Sequence, residues 1–374
     1  MLLGDMGADV IKIERPARGD QTRAMPPLVN GESASFAALN RNKRSLVLDL
    51  KQPEARDIVL ELAKKSDVFL ENNRPGVLDK LGLGAAQVRA VNPNIVYTSA
   101  SGFGQTGPYR KRAGVNLIVE AFSGALSVTG SPDDMPMRTG VQAADIFGAM
   151  FSTYATLCGL IGKLSGKGGR TADVSLVEAS ISAAAWETAF YLATGEVPVR
   201  CGHQHRLNTP YQLFETVDKH YLAIGTPNDE LFRRFMKTVG LEALIADPRF
   251  KSNRDRLVNV EALDEIVGAW VRGRTQAACI AQLVRAEVAV APVADFQDLA
   301  ADPHLVSRNV LTEIDDPDLG KLRMPRVLPQ LSETPGRIAH AGVHAMGSHN
   351  AQVYGDRLGI SDAEMQLLRA DGVI

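Results

Sequence analysis

The chain has 374 residues, of which 45% are hydrophobic, and its formal net charge is −2. One hydrophobic core seldom extends over so long a chain, so the length predicts two domains. The near-neutral charge and the lack of a long basic run exclude the broad positive surface that is typical of nucleic-acid-binding proteins.

Cysteine usage and hydrophobicity indicate a cytoplasmic protein. The three cysteines, Cys158, Cys201 and Cys279, are far apart and form no CxxC pattern, which argues against a disulfide framework and a structural metal site. No apolar run reaches the roughly 18–20 residues of a membrane span. Asp5 and Asp9 stand where a signal peptide needs an apolar core. We therefore expect neither membrane insertion nor export.

Short β-branched runs alternate with helical patterns in the first third of the chain. The predicted strands are 10–14, 46–50, 68–71 and 95–99. Residues 53–64 have helical spacing and open with a proline in the first turn, as helices often do. Such alternation predicts a parallel, doubly wound α/β sheet. Helices predicted at about 116–128, 146–164 and 178–194 would cover this sheet.

The composition shifts at the polar stretch 200–210. A predicted strand at 221–225 and a helix at 228–235 follow, and we assign a second, smaller domain to about 210–320. Several prolines break the chain between 317 and 335. A last amphipathic helix is predicted at 361–368, with Ser361 and Glu364 as a capping box.

Asp145 ends a run of small and polar residues and precedes the apolar stretch 146–151. As an N-cap, it would accept backbone N–H groups and interact favourably with the helix dipole. The same carboxylate, with small side chains around it, could be approached by a bulky acyl substrate and act as a nucleophile. This window alone favours the cap.

Three other segments carry polar or glycine-rich patterns. Residues 71–76 follow a predicted strand at the edge where open α/β sheets bind ligands, although the same residues are typical of a turn. The basic segment 40–44, with Arg15, Lys51 and Lys80, could bind phosphates, although solvated surface is the simpler interpretation. Residues 102–108 are glycine-rich without a P-loop or dinucleotide-binding pattern, and they predict a loop over a site.

Taken in order, these segments resemble the class III CoA-transferases. That family includes formyl-CoA transferase, carnitine CoA-transferases, succinyl-CoA-dependent dicarboxylate CoA-transferases and the α-methylacyl-CoA racemases. The matching segments are 3–15, 42–45, 67–76, 101–108, 138–151, 173–176 and 368–374. Each motif is loose, but their order along almost the whole chain is specific. The resemblance is strongest to the succinyl-CoA-dependent dicarboxylate enzymes.

The resemblance implies a Rossmann-like large domain, 1–200 completed by 330–374, and a small α+β domain at 210–320. Linkers near 195–215 and 315–335 would connect them. It further implies a homodimer whose two subunits are threaded through each other as linked rings. CoA enters as the acyl-CoA substrate, with no tightly bound cofactor, no metal and no nucleic-acid or membrane partner.

The resemblance also assigns the site. Asp145 falls on the family's catalytic aspartate, which attacks the donor acyl-CoA to give a mixed anhydride, becomes an aspartyl-CoA thioester and passes CoA to the acceptor acid. The positions implied for the nucleotide and pantetheine of CoA are Arg15, Leu48, Asp49, Leu50, Lys51, Asn72, Asn73, Arg74 and Lys80. Those implied for the acyl end are Gly114, Val115 and Asn116.

Two departures from the family refine this expectation. The racemases carry Gly-His-Asp where this chain has 114–116, so the histidine that exchanges the proton α to the thioester is missing and transfer is favoured. Family members begin with a further strand and loop before the helix that ends near Gly7, so we expect part of the CoA site to be missing here.

The predicted function is therefore transfer of CoA from a donor such as succinyl-CoA to a carboxylic acid such as a dicarboxylate. The alternatives are an acyl-CoA racemase and a CoA-binding protein that has lost catalysis.

Overall fold

The computed structural model describes all 374 residues, which form two compact units. The large unit contains Met1–Ser123, Val141–Ala185 and Asp302–Ile374. The small unit contains Gly124–Gly140 and Trp186–Ala301.

The strands are β1 Val10–Glu14, β2 Leu28–Val29, β3 Glu32–Ser33, β4 Lys43–Val47, β5 Val68–Glu71, β6 Val96–Ser101, β7 Thr171–Ser175, β8 Tyr211–Glu215, β9 Tyr221–Gly225, β10 Ala289–Pro292, β11 Leu311–Asp316 and β12 Gly320–Pro325. The helices of the large unit and its borders are α1 Leu2–Asp5, α2 Ala34–Leu39, α3 Pro53–Lys64, α4 Val77–Lys80, α5 Ala85–Val91, α6 Asn116–Phe122, α7 Ala143–Gly162, α8 Leu176–Ala183 and α9 Ala185–Thr194. Those that follow are α10 Asp229–Thr238, α11 Ala243–Ala246, α12 Asn253–Val258, α13 Val260–Arg272, α14 Gln276–Arg285, α15 Phe296–Ala301, α16 Pro303–Ser307 and α17 Asp362–Ala370. The chain also contains short 3₁₀ helices at Gln21–Ala24 and Ala125–Val128 and π-helical turns at Lys163–Lys167 and Gln352–Arg357.

The large unit is a mixed α/β fold with parallel sheets, as predicted. Strands β1 and β4 form a parallel pair, and β5, β6 and β7 form a parallel sheet in that order. The hydrogen bonds thus form two parallel sheets instead of one continuous sheet. Beyond β4, the backbone N–H of Asp49 donates to the carbonyl of Val373, so the C-terminal segment lies beside the end of this strand.

One buried cluster joins elements from both sheets. Leu46 and Leu48 pack with Ile58 and Leu62 of α3, and Phe69 of β5 packs against the same cluster. Pro53 occupies the first turn of α3 as predicted. The predicted capping box at Ser361 and Glu364 is also confirmed, with both reciprocal hydrogen bonds present.

The predicted strand 46–50 begins and ends earlier, as β4 at Lys43–Val47. Its first residues are polar, so hydrophobic periodicity does not reveal them. They become a strand because they pair in register with β1, where Lys12 lies opposite Ser45, and because the Ser45 hydroxyl donates to Glu14 at 2.9 Å.

The small unit is an α+β arrangement. Its antiparallel sheet has the order β10-β9-β8, and helices α10, α13 and α14 supply a buried apolar cluster with it. Arg256 is fully buried in this unit: it donates to the carbonyls of Thr209 and Phe250 and forms an ion pair with Asp229 at 2.7 Å. Its guanidinium lies over the ring of Phe232. Each of the three guanidinium nitrogens therefore donates to an acceptor, and the plane of the cation meets a π face.

Residues 186–200 were predicted in the large domain but belong to the small unit. The units differ from the predicted domain bounds at two further places. Residues 124–140 belong to the small unit, because the Arg200 guanidinium donates to the carbonyls of Ser131, Pro132 and Asp134 at 2.9–3.0 Å. The sequence shows no local signal of this long-range anchoring.

The third difference is the hairpin of β11 and β12, which belongs to the large unit. Leu319 and Met324 pack with Ala37 and Ala341 in a buried cluster. Arg41 donates to the carbonyl of Pro325 at 2.6 Å. Apolar packing and a buried cation hold the hairpin on this unit.

Helix α7 corrects the expectation that no segment is long and apolar enough to cross a membrane. Residues Ala143–Lys167 meet that length and composition, and 28% of the apolar 18-residue stretch within them is buried. A mostly buried core helix passes the same test, whereas α7 packs one face against β6, β7 and α8 and exposes large apolar side chains on the other.

The face of α7 that packs inward carries small residues. Gly148 and Gly159 are so close to Leu176 and Val96 that a methyl group at either glycine would come within 2.5–2.7 Å of those side chains. On the same face, the hydroxyl of Thr156 is 2.9 Å from the hydroxyl of Thr98. Small residues at this spacing let the helix approach the sheet closely and leave its larger side chains on the opposite face.

Candidate active site

Asp145 lies in the first turn of α7, three residues after the N-cap Gln142. The N-cap interpretation of Asp145 is therefore wrong: its own backbone is already helical, and Gln142 makes no side-chain cap bond. A carboxylate in the first turn still interacts favourably with the positive end of the helix dipole.

Two neighbouring side chains hold the start of α7. The backbone N–H of Asp145 donates to Oδ1 of Asn116 at 3.2 Å, and that of Ala143 donates to Oε1 of Glu120 at 3.2 Å. Helix α6 thus supplies acceptors for two N–H groups that have no partner within α7 itself.

Asn116 and Glu120 are also bonded to each other. Nδ2 of Asn116 donates to Oε1 of Glu120 at 3.0 Å, and Glu120 is only 1% exposed. Because an amide has one donor end and one acceptor end, the carboxylate of Glu120 fixes which way Asn116 points. Its oxygen therefore faces the backbone of Asp145.

The surroundings of Asp145 raise the pKa of its carboxyl group. Partial desolvation is the larger cause, and the negative charge of Glu120 is the second. The residue itself is exposed on the surface of the chain, so the carboxylate is both accessible and more basic than a carboxylate in water. A more basic carboxylate is a better nucleophile.

The loop after β6 reaches this region through a glycine contact. A methyl group on Gly102 or on Gly114 would lie 2.6 Å from the Cα atom of the other. The carbonyl of Gly102 accepts the backbone N–H of Val177, at the start of α8, at 3.1 Å. These contacts require glycine at both positions and connect residues 102 and 114 with the starts of α6 and α8.

Farther along the loop, Gly104 and Gly107 have φ angles of +83° and +79°, which favour glycine. Asp173 of β7 accepts the backbone N–H of Gln105 at 3.0 Å. An aromatic cluster lies alongside, in which the ring of Phe103 is 5.3 Å from that of Phe122. The predicted glycine-rich loop is thus anchored at its start and in its middle, and apolar rings flank it.

The positions implied for CoA follow the carboxyl ends of the parallel strands. Exposed Arg15 comes directly after β1, and residues 48–51 come directly after its parallel neighbour β4. Leu48 is fully buried, whereas Lys51 is exposed and its backbone N–H donates to Asp49. The structure therefore brings these two segments together at one edge.

Residues 72–74 come directly after β5. The Asn72 amide donates to the carbonyl of Ala100 in neighbouring β6 at 2.8 Å, and Asn73 and Arg74 are exposed. Lys80 ends the short helix α4 and is exposed. The two parallel sheets thus each contribute exposed basic and polar groups after their strands.

The basic segment 40–44 has a structural role instead of the free phosphate-binding character considered from the sequence. Arg41 is buried and pairs with Asp5 at 2.7 Å, and Arg44 pairs with Asp9 at 2.5 Å. Burial, with a contribution from the charge of Lys12, lowers the pKa of Lys43 to about 8.

Glu120 was not recognised from the sequence. The signal available was its spacing of four residues from Asn116, at which side chains on a helix face each other. That spacing gave no reason to expect a buried carboxylate, because its second partner, Ala143, lies 23 residues farther along the chain.

Residues 1–350 match CoA-transferase family III. The chain belongs to this family. Among its relatives, the succinyl-CoA–D-citramalate CoA-transferase of Chloroflexus aurantiacus is 33% identical over 374 residues, covering 100% of this chain and 93% of the relative. The succinate–glutarate CoA-transferase of Agrobacterium fabrum is 36% identical over 363 residues, covering 94% and 89%.

A crystal structure of a CAIB/BAIF family protein from Brucella suis has the same fold. Its TM-score is 0.82 with 32% sequence identity, and the match covers 95% of this chain and 93% of that one. The enzyme is therefore a family III CoA-transferase that uses CoA thioesters as substrates.

Proposed function

We propose that this CoA-transferase moves CoA from succinyl-CoA to a dicarboxylic acid by covalent chemistry at Asp145. The observation that carries the proposal is the accessible Asp145 carboxyl with a raised pKa, on a helix start that Asn116 and Glu120 hold in place. Relatives whose names specify succinyl-CoA or succinate, with D-citramalate or glutarate as the other acid, support this donor and acceptor class.

In the proposed first half-reaction, a carboxylate oxygen of Asp145 attacks the thioester carbonyl of the donor. The C–S bond breaks, CoA leaves as a thiolate, and a mixed anhydride remains on Asp145. The thiolate then attacks the side-chain carbonyl of Asp145, which releases the donor acid and leaves an aspartyl-CoA thioester.

The second half-reaction reverses these steps with the acceptor. The acceptor carboxylate displaces CoA thiolate to form a new anhydride. The thiolate then attacks the acceptor's own carbonyl, so the new acyl-CoA leaves and the Asp145 carboxylate is restored. In this proposal, backbone N–H groups of the glycine-rich loop 102–107 stabilise the oxyanions that form, because glycines leave the backbone open to close approach.

An isotope experiment tests this route. If the acceptor acid carries heavy oxygen in its carboxyl group, each turnover leaves one heavy oxygen atom on Asp145. Peptide mass spectrometry should find the label on the peptide that contains Asp145 and on no other. Turnover without labelled Asp145 would contradict the anhydride route, while leaving transfer itself established.

A second screen defines the substrates. The enzyme is incubated with succinyl-CoA and a panel of monocarboxylic and dicarboxylic acids, and the new CoA thioesters are identified by mass spectrometry. We expect dicarboxylic acids to accept CoA fastest. Exclusive use of monocarboxylic acids would overturn the proposed acceptor class.

We also propose that CoA lies along the carboxyl ends of the strands, with the basic side chains of Arg15, Lys51 and Lys80 near its phosphates. Each lost charge contact should weaken CoA binding about tenfold, which corresponds to about 1.4 kcal/mol. Lys51→Ala and Lys80→Ala test this by calorimetry. Lys219→Ala, an exposed change in the small unit, serves as the control and should bind CoA normally.

Finally, we propose a homodimer with the linked-ring topology implied by the resemblance. The outer face of α7 and the turn that follows it carry an exposed apolar stripe at spacings of three and four residues: Ile146, Met150, Tyr154, Leu157, Ile161 and Leu164. Tyr154 is 65% exposed and Leu164 85%. A continuous stripe of this kind marks an interaction surface, and a second copy of the chain would cover it.

Sedimentation at micromolar concentration tests the assembly, and a monomer there would contradict it.

We also propose a cytoplasmic location. The three free cysteines support it, because free thiols fit a reducing compartment.

A further inference from the structure

We propose that His344, Asp316 and Asp318 bind a divalent transition-metal ion, Zn²⁺ in the first place, in the large unit. None of the three residues is Asp145 or one of the positions assigned to CoA, and the ion would serve the structure of the hairpin of β11 and β12. No spacing motif revealed it, because His344 lies far along the chain from the two aspartates.

The three residues converge at the turn of this hairpin. Asp316 ends β11 and Asp318 lies in the turn before Gly320, where β12 begins. One ligand atom from each of Asp316, Asp318 and His344 lies within 4.8 Å of the others. The Asp316 side chain is 6% exposed and that of His344 is 5% exposed.

The orientation of His344 fixes which nitrogen is available. Its Nδ1 atom is 3.0 Å from a carboxylate oxygen of Glu32. Because an ionised carboxylate only accepts hydrogen bonds, Nδ1 carries the proton and donates it to Glu32. Nε2 is then the atom directed towards the two aspartates, as in the carboxylate–histidine–metal arrangement common in metal sites.

Nε2 of His344 is buried and has no hydrogen-bond partner. Oδ1 of Asp316 lies 3.6 Å from it, which is too long for a hydrogen bond. Two ligand atoms that are each about 2.1 Å from a tetrahedral ion lie about 3.4 Å apart. The observed separation therefore fits two ligands of one ion better than a proton shared between them.

The surrounding contacts hold both ligands in place. Arg23 donates to the carbonyl oxygen of His344 at 2.7 Å, which fixes the backbone of that residue. The backbone N–H groups of Asp318 and Leu319 donate to Oδ1 of Asp316 at 3.0 and 2.8 Å. One imidazole and two carboxylates suit Zn²⁺ and leave room for a water molecule as a further ligand.

Calorimetric titration of the chelator-treated full chain with Zn²⁺ tests the site, and Co²⁺ absorption reports on the ligand geometry. We expect one equivalent to bind and the melting temperature to rise with Zn²⁺. His344→Gln and Asp318→Asn should each lose this equivalent. Asp318 is exposed, so that variant is expected to fold even if the change at His344 is not tolerated.

Two further variants sharpen the result. Glu32→Ala removes the acceptor of Nδ1 and should weaken Zn²⁺ binding by about 10–100-fold. Asp315→Asn, an exposed neighbour outside the cluster, is the matched control and should bind Zn²⁺ normally. The proposal is overturned if the wild type binds no Zn²⁺, or if wild type and Asp318→Asn bind Zn²⁺ equally.

Discussion

The substitution Asp145→Asn separates a covalent role for this carboxylate from a structural one. Asparagine keeps the size of the side chain and removes its charge and nucleophilicity. If Asp145 carries the anhydride and thioester, transfer should fall by a factor on the order of 10⁴ or more, as when other enzymes lose a covalent nucleophile. Because asparagine can deamidate to aspartate, Asp145→Ala should be measured beside it.

The same substitution should leave the fold almost unchanged. A carboxylate in the first turn of a helix contributes about 0.3–1 kcal/mol through the dipole. At Asp145 this gain is offset by partial desolvation and by the charge of Glu120, the two causes of its raised pKa. The net change in the free energy of unfolding should therefore stay within about 1 kcal/mol, or a shift in melting temperature of about 2–4 °C or less.

The raised pKa of Asp145 also fixes the direction in which its contribution to the free energy of unfolding changes with pH. A carboxyl group whose folded pKa is raised binds more protons in the folded state than in the unfolded state. Its contribution to stability is therefore full below the unfolded pKa and is lost as the pH rises through the folded pKa. The melting temperature of Asp145→Asn should therefore not show the decrease that this group causes in the wild type between the ordinary pKa of aspartate and the raised value.

Glu178 provides a matched control, because it occupies the same position in the first turn of α8 as Asp145 does in α7. Glu178→Gln should change stability by a similarly small amount and leave transfer intact. Wild-type turnover in Asp145→Asn, or an equal loss of transfer in Glu178→Gln, would refute the covalent role.

Three other predictions follow from the site and from α7. Glu120→Gln keeps an acceptor for Ala143 but removes a negative charge that raises the pKa of Asp145. The acid limb of the pH–activity profile should therefore move to lower pH, and an unchanged limb would contradict this coupling. Because Val115 stands where racemases have histidine, a chiral 2-methylacyl-CoA in deuterated water should show no enzyme-dependent α exchange, and rapid exchange would favour the racemase alternative. Gly159→Val should lower the free energy of unfolding by about 1–3 kcal/mol in denaturant titrations, because even a methyl group there would lie 2.5 Å from Val96; unchanged stability would show that α7 can move away.

The elements that the sequence predicted well are those whose signals are local. Helix α3 has apolar residues at helical spacing and a proline in its first turn, and the capping box of α17 lies within four consecutive residues. The first residues of β4 are polar, and only pairing with β1 makes them a strand. Likewise, the contacts of Arg200 with the carbonyls of Ser131, Pro132 and Asp134 bridge more than sixty residues and assign 124–140 to the small unit.

The residues of the candidate site also differ in how far the sequence alone reveals their role. Asp145 was recognised because ordered motifs along the chain resemble one family, whereas its local window favoured a cap. The structure shows why the window misled: Gln142 is the N-cap, and Asn116 and Glu120 supply the acceptors that a capping side chain would otherwise provide. Glu120 escaped notice because its importance comes from a contact with Ala143 that sequence spacing does not reveal.

The packing of α7 positions Asp145 and leaves a large apolar surface exposed. A surface helix normally buries its large apolar side chains and exposes its polar ones. In α7 the buried face carries small residues such as Gly148 and Gly159, and large apolar residues such as Tyr154 and Ile161 face outward. Close backbone contact with the sheet therefore sets the position of the helix and of Asp145 near its start, and the outward stripe is left available to a partner.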